Sequence, residues 1–257
     1  GESLKTLIEL SVVKEVKEQE YRINTKPDIK IFNKLTKEQD NVYKSINLHK
    51  NGTYLLYGVT GSGKTEVYLN IINDVIKNGQ TAIMLVPEIS LTMQIVQRFY
   101  NWFGSKVAVL HSALSDGERH DEYLKIIRKE VSIVVGTRSA IFAPLKNLGI
   151  IIIDEEHSDT YKQDNTPRYN AKDMADFRAK YNNIPLILGS ATPSLDTMAR
   201  ANKKVFELLK LPNRVGNSIL PKVTLVDMEQ EYKKKNFIFS ELLENKINDC
   251  LCPRKAS

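Results

Sequence analysis

Cysteine is almost missing from this chain: there are two, Cys250 and Cys252, both close to Ser257. One neighbouring pair cannot staple a fold, which excludes a disulfide framework and points to a reducing cytoplasm. The C-x-C spacing could supply half of a metal site, but a free pair is the simpler reading. Long apolar runs are lacking too. None approaches the roughly 20 residues that cross a bilayer, and the charged opening, Gly1–Glu20, has no apolar segment of the secretion-signal kind. No membrane partner is expected. Neither sign of charge dominates: 37 Lys and Arg stand against 31 Asp and Glu, a formal net charge of +6. That mild basic excess suits a polyanionic partner without establishing one. No internal repeat or low-complexity tract is present. What is there, 257 residues of which 42% are hydrophobic, suffices for a substantial core.

From Thr53 onward, short β-rich runs alternate with helical patterns, as in βαβ units with a parallel sheet. The runs TYLLYG (53–58), TAIMLV (81–86), KVAVLH (106–111), VSIVVG (131–136), LGIIIID (148–154) and IPLILG (184–189) read as strands. Their continuous apolar character fits strands covered by helices on both faces. Helices are expected over KTEVYLNIINDVIKNG, closed by Gly79, over LTMQIVQRFYNWFG, closed by Gly104, and over SDGERHDEYLKIIRK, where Ser115 and Glu118 have capping-box spacing. The fold class is an open α/β sheet. Residues 1–22 read as a short helix followed by alternating strand-like segments, and 26–31 as a linker. Beyond Ala201 the periodicity weakens: LPNRVGNSILP is loop-like, KVTLVDM (222–228) reads as one more strand, and SELLENKINDCLC begins a helix.

The chemistry starts at GVTGSGKT: Gly58, Val59, Thr60, Gly61, Ser62, Gly63, Lys64 and Thr65 satisfy G-x-x-x-x-G-K-[ST] between a strand and a helix. Such a loop turns backbone N–H groups and a helix N-terminus onto phosphate oxygens. Lys64 is expected to reach the β- and γ-phosphates of ATP, and Thr65 to ligate Mg²⁺. A second metal carboxylate must come from a neighbouring strand end. Asp154, after the buried Ile150–Ile153, supplies it, and Glu155 polarises the attacking water. Acids at a helix start could merely complement its dipole, but a P-loop in the same chain favours the metal. His157 at such a turn reads first as structural. In LGSATPS, Ser190 and Thr192 can exchange hydrogen bonds with the carboxylates as the γ-phosphate leaves; Thr192 could also cap a helix begun by Pro193. Together with His157 these are the candidates for coupling.

Two further strand ends, LVPEISLT and VVGTRSAIF, place Pro87, Ser90, Thr92, Thr137, Arg138 and Ser139 where short donors and a guanidinium suit phosphates of a nucleic-acid strand. In YKQDNTPRYN, Tyr161, Lys162, Arg168 and Tyr169 interleave aromatics with cations, as a stacking platform for single-stranded bases does. The other reading packs the tyrosines against the sheet rim. In LTKEQ, Thr36 and Gln39 have capping-box spacing. Gln39 could instead read an adenine edge, but taken alone the cap prevails.

The set GVTGSGKTEVYL, LVPEISLT, VLHSALSDGER, VVGTRSAIFAPLKNLGIIIIDEEH, YKQDNTPRY and LGSATPSLDT closely resembles the PriA family of bacterial primosomal helicases, from about Phe32 to Asp227. The resemblance implies a RecA-like P-loop lobe of a superfamily 2 helicase that uses ATP and Mg²⁺ and moves 3′ to 5′ on single-stranded DNA at branched forks. It implies that Gln39 contacts adenine and that the loop after the acidic box couples DNA to hydrolysis. Single-stranded DNA-binding protein and primosome proteins are the implied partners. By the same resemblance, residues 1–25 match the end of a winged-helix domain and its linker, 26–211 the first helicase lobe, and 212–257 the start of a second. The zinc expected of the family is carried by cysteines of that second lobe; Cys250 and Cys252 do not match them. On this reading the chain alone should bind nucleotide weakly, hydrolyse it poorly and not unwind DNA. Two other function classes compete: a non-catalytic ATP-dependent DNA-binding module, and a P-loop ATPase of another kind.

Overall fold

The structure, a computed structural model, describes residues 21–22, 34–216, 223–233 and 238–251. In chain order the elements are α1 (Lys37–Ser45), β1 (Gly52–Gly58), α2 (Lys64–Lys77), β2 (Thr81–Leu85), α3 (Met93–Phe103), β3 (Val107–Leu110), α4 (Asp116–Ile127), β4 (Ile133–Gly136) and β5 (Leu148–Ile153). They continue with the short β6 (Lys162–Gln163) and β7 (Tyr169–Asn170), then α5 (Ala171–Asn182), β8 (Pro185–Ser190), α6 (Leu195–Asn202), β9 (Glu207–Leu211), α7 (Met228–Lys233) and α8 (Glu241–Leu251). The expected helix and strands of residues 1–20 and the linker at 26–31 lie outside the described residues.

Seven strands form one sheet in the order β3-β4-β2-β5-β8-β1-β9. Every neighbouring pair is parallel. The two faces are read directly from alternate residues. Leu56, Met84, Ile150, Ile152 and Ile187 pack with residues of α1, α2 and α3. Leu55, Ile83, Ile151, Ile153 and Leu188 pack with residues of α4, α5 and α6. Burial on both sides is why β5 can be six apolar or small residues without alternation. At the β3 edge, the wholly buried Glu122 of α4 accepts a hydrogen bond from the Val109 amide at 2.8 Å and pairs with Lys125, which satisfies an edge amide that no strand among the described residues reaches.

Because all seven strands run the same way, the loops after their C-terminal ends crowd one edge. The loops after β1, β8 and β5 lie side by side there, and those after β2, β4 and β3 continue the row.

Two expectations fail beyond Ala201. The sheet gains β9, paired with β1, where no strand was read. The segment expected as a strand at 222–228 is irregular over 223–227 and enters α7 at Met228. Val223 and Leu225 are 79% and 94% exposed, so no sheet covers them. Strand propensity without a neighbour to pair with does not make a strand. The chain divides into two compact units, one through Gly216 and one from Asn217. Beyond β9 the Val215 amide donates to the Gly61 carbonyl at 2.9 Å. Among the described residues no helix is long and apolar enough to cross a membrane.

Candidate nucleotide and nucleic-acid site

Gly58 ends β1 and Lys64 begins α2, so residues 59–63 must reverse direction within five residues. Gly63 makes this possible: it caps α2 in the left-handed region at φ 80°, and a Cβ there would collide with the Gln39 amide. The loop lines a cavity of about 590 Å³ together with Lys34, Thr36, Gln39, Arg98, Asp154, Glu155 and Val215. All eight residues of the phosphate-loop motif except Gly58 therefore face one space with both carboxylates. Gly58 contributes through its carbonyl, which accepts from Lys64 Nζ at 2.9 Å; the same Nζ lies 3.8 Å from Glu155 Oε1.

The donor set fits a phosphate. Ser62 Oγ is, among the described residues, the buried side-chain polar atom left without a hydrogen-bond partner, and it sits inside the loop. An orphaned buried hydroxyl is costly unless a ligand completes it. A divalent cation fits as well, with Thr65 and Asp154 on the same wall. No group of three or more His, Cys, Asp or Glu capable of holding a metal occurs among the described residues. An Mg²⁺ here would thus take most of its ligands from phosphate and water, as that ion commonly does.

Burial pushes the Asp154 carboxyl up to about 6, the neighbouring Glu155 adds to the rise, and Lys64 draws it down. Glu155 itself adopts φ 45°, a left-handed conformation that costs a non-glycine residue free energy and recurs at functional sites. From Glu155 a polar line continues outward. Its Oε2 is 3.6 Å from His157 Nδ1, and His157 Nδ1 is 2.8 Å from Ser190 Oγ, which accepts from the Thr192 amide at 2.9 Å. The three coupling candidates are thus brought together at the ends of β5 and β8.

Gln39 completes the capping box: the Thr36 amide donates to its Oε1 at 2.9 Å and Thr36 Oγ1 accepts from its backbone amide. Its Nε2 donates to the Ser62 carbonyl at 3.0 Å, which ties α1 to the phosphate loop. The cap reading describes this geometry, while the residue still borders the cavity.

The outer strand ends behave unevenly. Thr137, Arg138 and Ser139 line a second cavity of about 360 Å³ with Glu88, His111, Ser112, Arg119 and Gln163. Arg138 donates to the Lys162 carbonyl at 2.7 Å and the Thr160 carbonyl at 3.3 Å, so its guanidinium fastens the loop after the acidic box. Pro87 is buried and its carbonyl accepts from the Ser90 and Leu91 amides; of the three candidates here Thr92 is exposed and Ser90 partly so. Lys162 is exposed and pairs with Asp164 at 3.1 Å, and Arg168 Nε donates to the Asp164 carbonyl at 2.9 Å. Tyr169 stays half-buried, edge-on to Phe142 at 5.0 Å.

Tyr161 corrects the sequence reading. It is 1% exposed, packed under the sheet among Leu85, Ile153 and Ala171, and its hydroxyl donates to the Asp154 carbonyl at 2.6 Å. It cannot stack on a base. The short 3-10 turn at Asp159–Tyr161 swings its ring inward.

Glu156, whose role the sequence leaves less certain than that of Asp154 and Glu155, is structural. It is wholly buried and accepts from the Ser194 amide at 2.7 Å, Ser194 Oγ at 3.2 Å, Thr197 Oγ1 at 2.9 Å and Lys172 Nζ at 2.9 Å. It thereby pins α5 and α6 to the acidic box. Arg98, paired with Glu66 on the cavity wall, and Val215 were missed. A lone Arg on an amphipathic helix and a Val in a loop carry no local signal of a site.

Residues 36–201 match the family described as DEAD/DEAH box helicase. The chain is 49% identical over 259 residues to replication restart protein PriA of Bacillus subtilis (strain 168), covering 97% of this chain and 32% of that protein. It is 50% identical over 201 residues to the protein of the same name from Synechocystis, covering 76% of this chain and 24% of that one. The chain thus spans about a third or less of the length of these relatives. Among solved structures, RecG bound to a three-way DNA junction aligns with a TM-score of 0.60 at 25% identity, over 82% of this chain and 28% of RecG. A phosphate loop at the end of β1, an acidic box at the end of β5 and a serine–threonine turn at the end of β8, all within the matched 166-residue span (36–201), place the chain in the DEAD/DEAH box helicase family.

Proposed function

We infer that this chain forms the ATP-binding motor lobe of a 3′-to-5′ DNA helicase that acts in replication restart, in the cytoplasm, on single-stranded and branched DNA. The observation that carries the reading is the polar line from Lys64 through Glu155 and His157 to Ser190, which ties the phosphate loop after β1 to the ends of both β5 and β8.

In this reading the Val59–Thr65 backbone and Lys64 bind the β- and γ-phosphates, and Gln39 borders the adenine. Thr65 and Asp154 would hold Mg²⁺, which neutralises phosphate charge when bound. Glu155 holds the attacking water and receives its proton. Ser90, Thr92, Ser139, Lys162, Arg168 and Tyr169 offer contacts to DNA, with Arg138 fixing the loop that carries Lys162. The PriA relatives supply the replication-restart role and RecG the branched substrate. Single-stranded DNA-binding protein and primosome proteins are proposed partners on the same footing.

The test is thermodynamic linkage. ATP affinity is measured with and without a single-stranded oligonucleotide, since coupling must act equally in both directions. DNA should tighten Mg²⁺–ATP binding, Lys64→Ala should abolish that binding, and Glu155→Gln should retain ATP unhydrolysed. An ATP affinity that ignores DNA would favour a P-loop ATPase of another class. A Glu155→Gln chain indistinguishable from the wild type would favour a non-catalytic DNA-binding module.

A further inference from the structure

Tyr68 has no part in the reading above, and its surroundings are unusual. It lies one helical turn beyond Lys64 on α2, fully buried, on the face where Val67, Ile71, Ile72 and Val75 are aliphatic. A phenol in such a place brings a hydroxyl that must find a partner or incur a desolvation cost. Its partner is Asp154 Oδ1, at 3.1 Å.

That contact is not between neighbours. Tyr68 belongs to the helix after β1 and Asp154 follows β5, while β8 lies between those strands. The hydroxyl reaches across β8 at Gly189. A Cβ at Gly189 would collide with the Tyr68 hydroxyl and stand 3.1 Å from Asp154 Oδ1. Gly189 shows no positive φ, so space rather than backbone freedom is what the position requires. Asp154 is fixed from other sides too: its amide donates to the Leu85 carbonyl at 2.9 Å and its carbonyl accepts from Tyr161. The carboxylate itself is held by the Tyr68 hydroxyl and by the adjoining Glu155 amide, and Tyr68 is the one side chain that reaches it from another element.

The geometry points to Tyr68 as a positioning residue for the metal carboxylate, with Gly189 as the opening through which it acts. The O–H fixes one Asp154 oxygen so that the group presents a set orientation to the cavity shared with Thr65. Partners that orient a metal's ligands in this way are commonly worth 10- to 100-fold in metal affinity. The same arrangement accounts for the glycine before Ser190, which the coupling role of the serine–threonine turn leaves unexplained. The inference rests on Asp154 serving as an Mg²⁺ ligand.

Tyr68→Phe keeps the ring and removes the donor. Binding of a fluorescent ATP analogue by the full chain is titrated with Mg²⁺, alongside binding in EDTA and a thermal melt. The Mg²⁺ concentration for half-maximal binding should rise roughly tenfold, with metal-free binding unchanged, a split that mere loosening of the core would not give. If the wild type responds to Mg²⁺ and the Phe variant has the same midpoint, the inference is overturned alone. If wild-type binding ignores Mg²⁺, the metal reading of Asp154 falls and takes the inference with it. Should the Phe chain fail to fold, Gly189→Ala, which displaces the hydroxyl while retaining it, decides in its place by the same midpoint.

Discussion

His157 Nδ1 lies 2.8 Å from Ser190 Oγ, a contact that joins the loop after β5 to the loop after β8. Ser190 is fully buried, and its oxygen also accepts from the Thr192 amide. One hydroxyl therefore registers the position of the acidic box relative to the next strand end. Ser190→Ala removes both partners while leaving the phosphate loop intact. ATP affinity without DNA should be unchanged, and the factor by which single-stranded DNA alters it should fall about fivefold or more, within the usual range of coupling energies. Paired ATP titrations with and without the oligonucleotide check this; an undiminished factor would exclude the contact from coupling.

Asp154 gives a pH signature in the metal-free chain. Burial, then Glu155, pushes its carboxyl from 3.8 up to about 6. A raised folded value means that folding takes up a proton. The contribution is thus fully favourable below the ordinary carboxylate value and is lost as pH rises through about 6. Asp154→Asn removes the titration. In EDTA the variant should match the wild type near pH 4 and exceed its stability at pH 7.5, by up to about 3 kcal/mol given 1.36 kcal/mol per unit. Urea midpoints across that range test it, and a constant offset at every pH would contradict the account.

These residues also mark how far the sequence could be read. The phosphate loop, the acidic box and the buried strands are local patterns, set by period and by adjacent residue types, and six strands were legible as such. What escaped depends on neighbours distant in the chain. β9 has only Leu209 and Leu211 buried, because it sits at the sheet edge beside β1. α5 packs through Ala171, Ala175 and Ala179, a stripe too small to stand out as apolar. The inward turn of Tyr161 follows from a 3-10 turn and from a carbonyl seven residues back, neither visible in an aromatic-plus-cation composition.

That inward turn separates two readings of Tyr161 experimentally. As a stacking platform it would be needed for DNA affinity; as a buried donor it is needed for stability. Tyr161→Phe keeps the packing and deletes the hydrogen bond to the Asp154 carbonyl, which should cost about 1 kcal/mol. Its melting temperature should drop while single-stranded DNA affinity, measured by anisotropy well below the melt, stays unchanged. Full stability in Tyr161→Phe would exclude the buried-donor role, and a several-fold loss of DNA affinity in Tyr161→Leu, which removes the ring, measured where that chain is still folded, would restore the stacking role.

Glu156 should prove the most sensitive acid in the lobe, although it faces neither cavity. Its carboxylate, itself without exposure, gathers the Ser194 amide, two hydroxyls and the partly exposed Lys172. Glu156→Ala would take the acceptor from the Ser194 amide, Thr197 Oγ1 and Lys172 together, which should cost about 1–3 kcal/mol. Burial by itself would raise this carboxyl; the Ser194 amide and the Lys172 ammonium outweigh burial and hold it below the ordinary carboxylate range. A depressed folded value supplies stability that is present above the unfolded value and disappears as pH falls through the folded one. Glu156→Gln, which cannot titrate, should therefore be less stable than the wild type at pH 7, with the gap closing on acidification. Urea unfolding at intervals from pH 7 to pH 3 measures that gap. If it keeps its full size at the acid end, the ionised carboxylate is not what holds α5 and α6 to the acidic box.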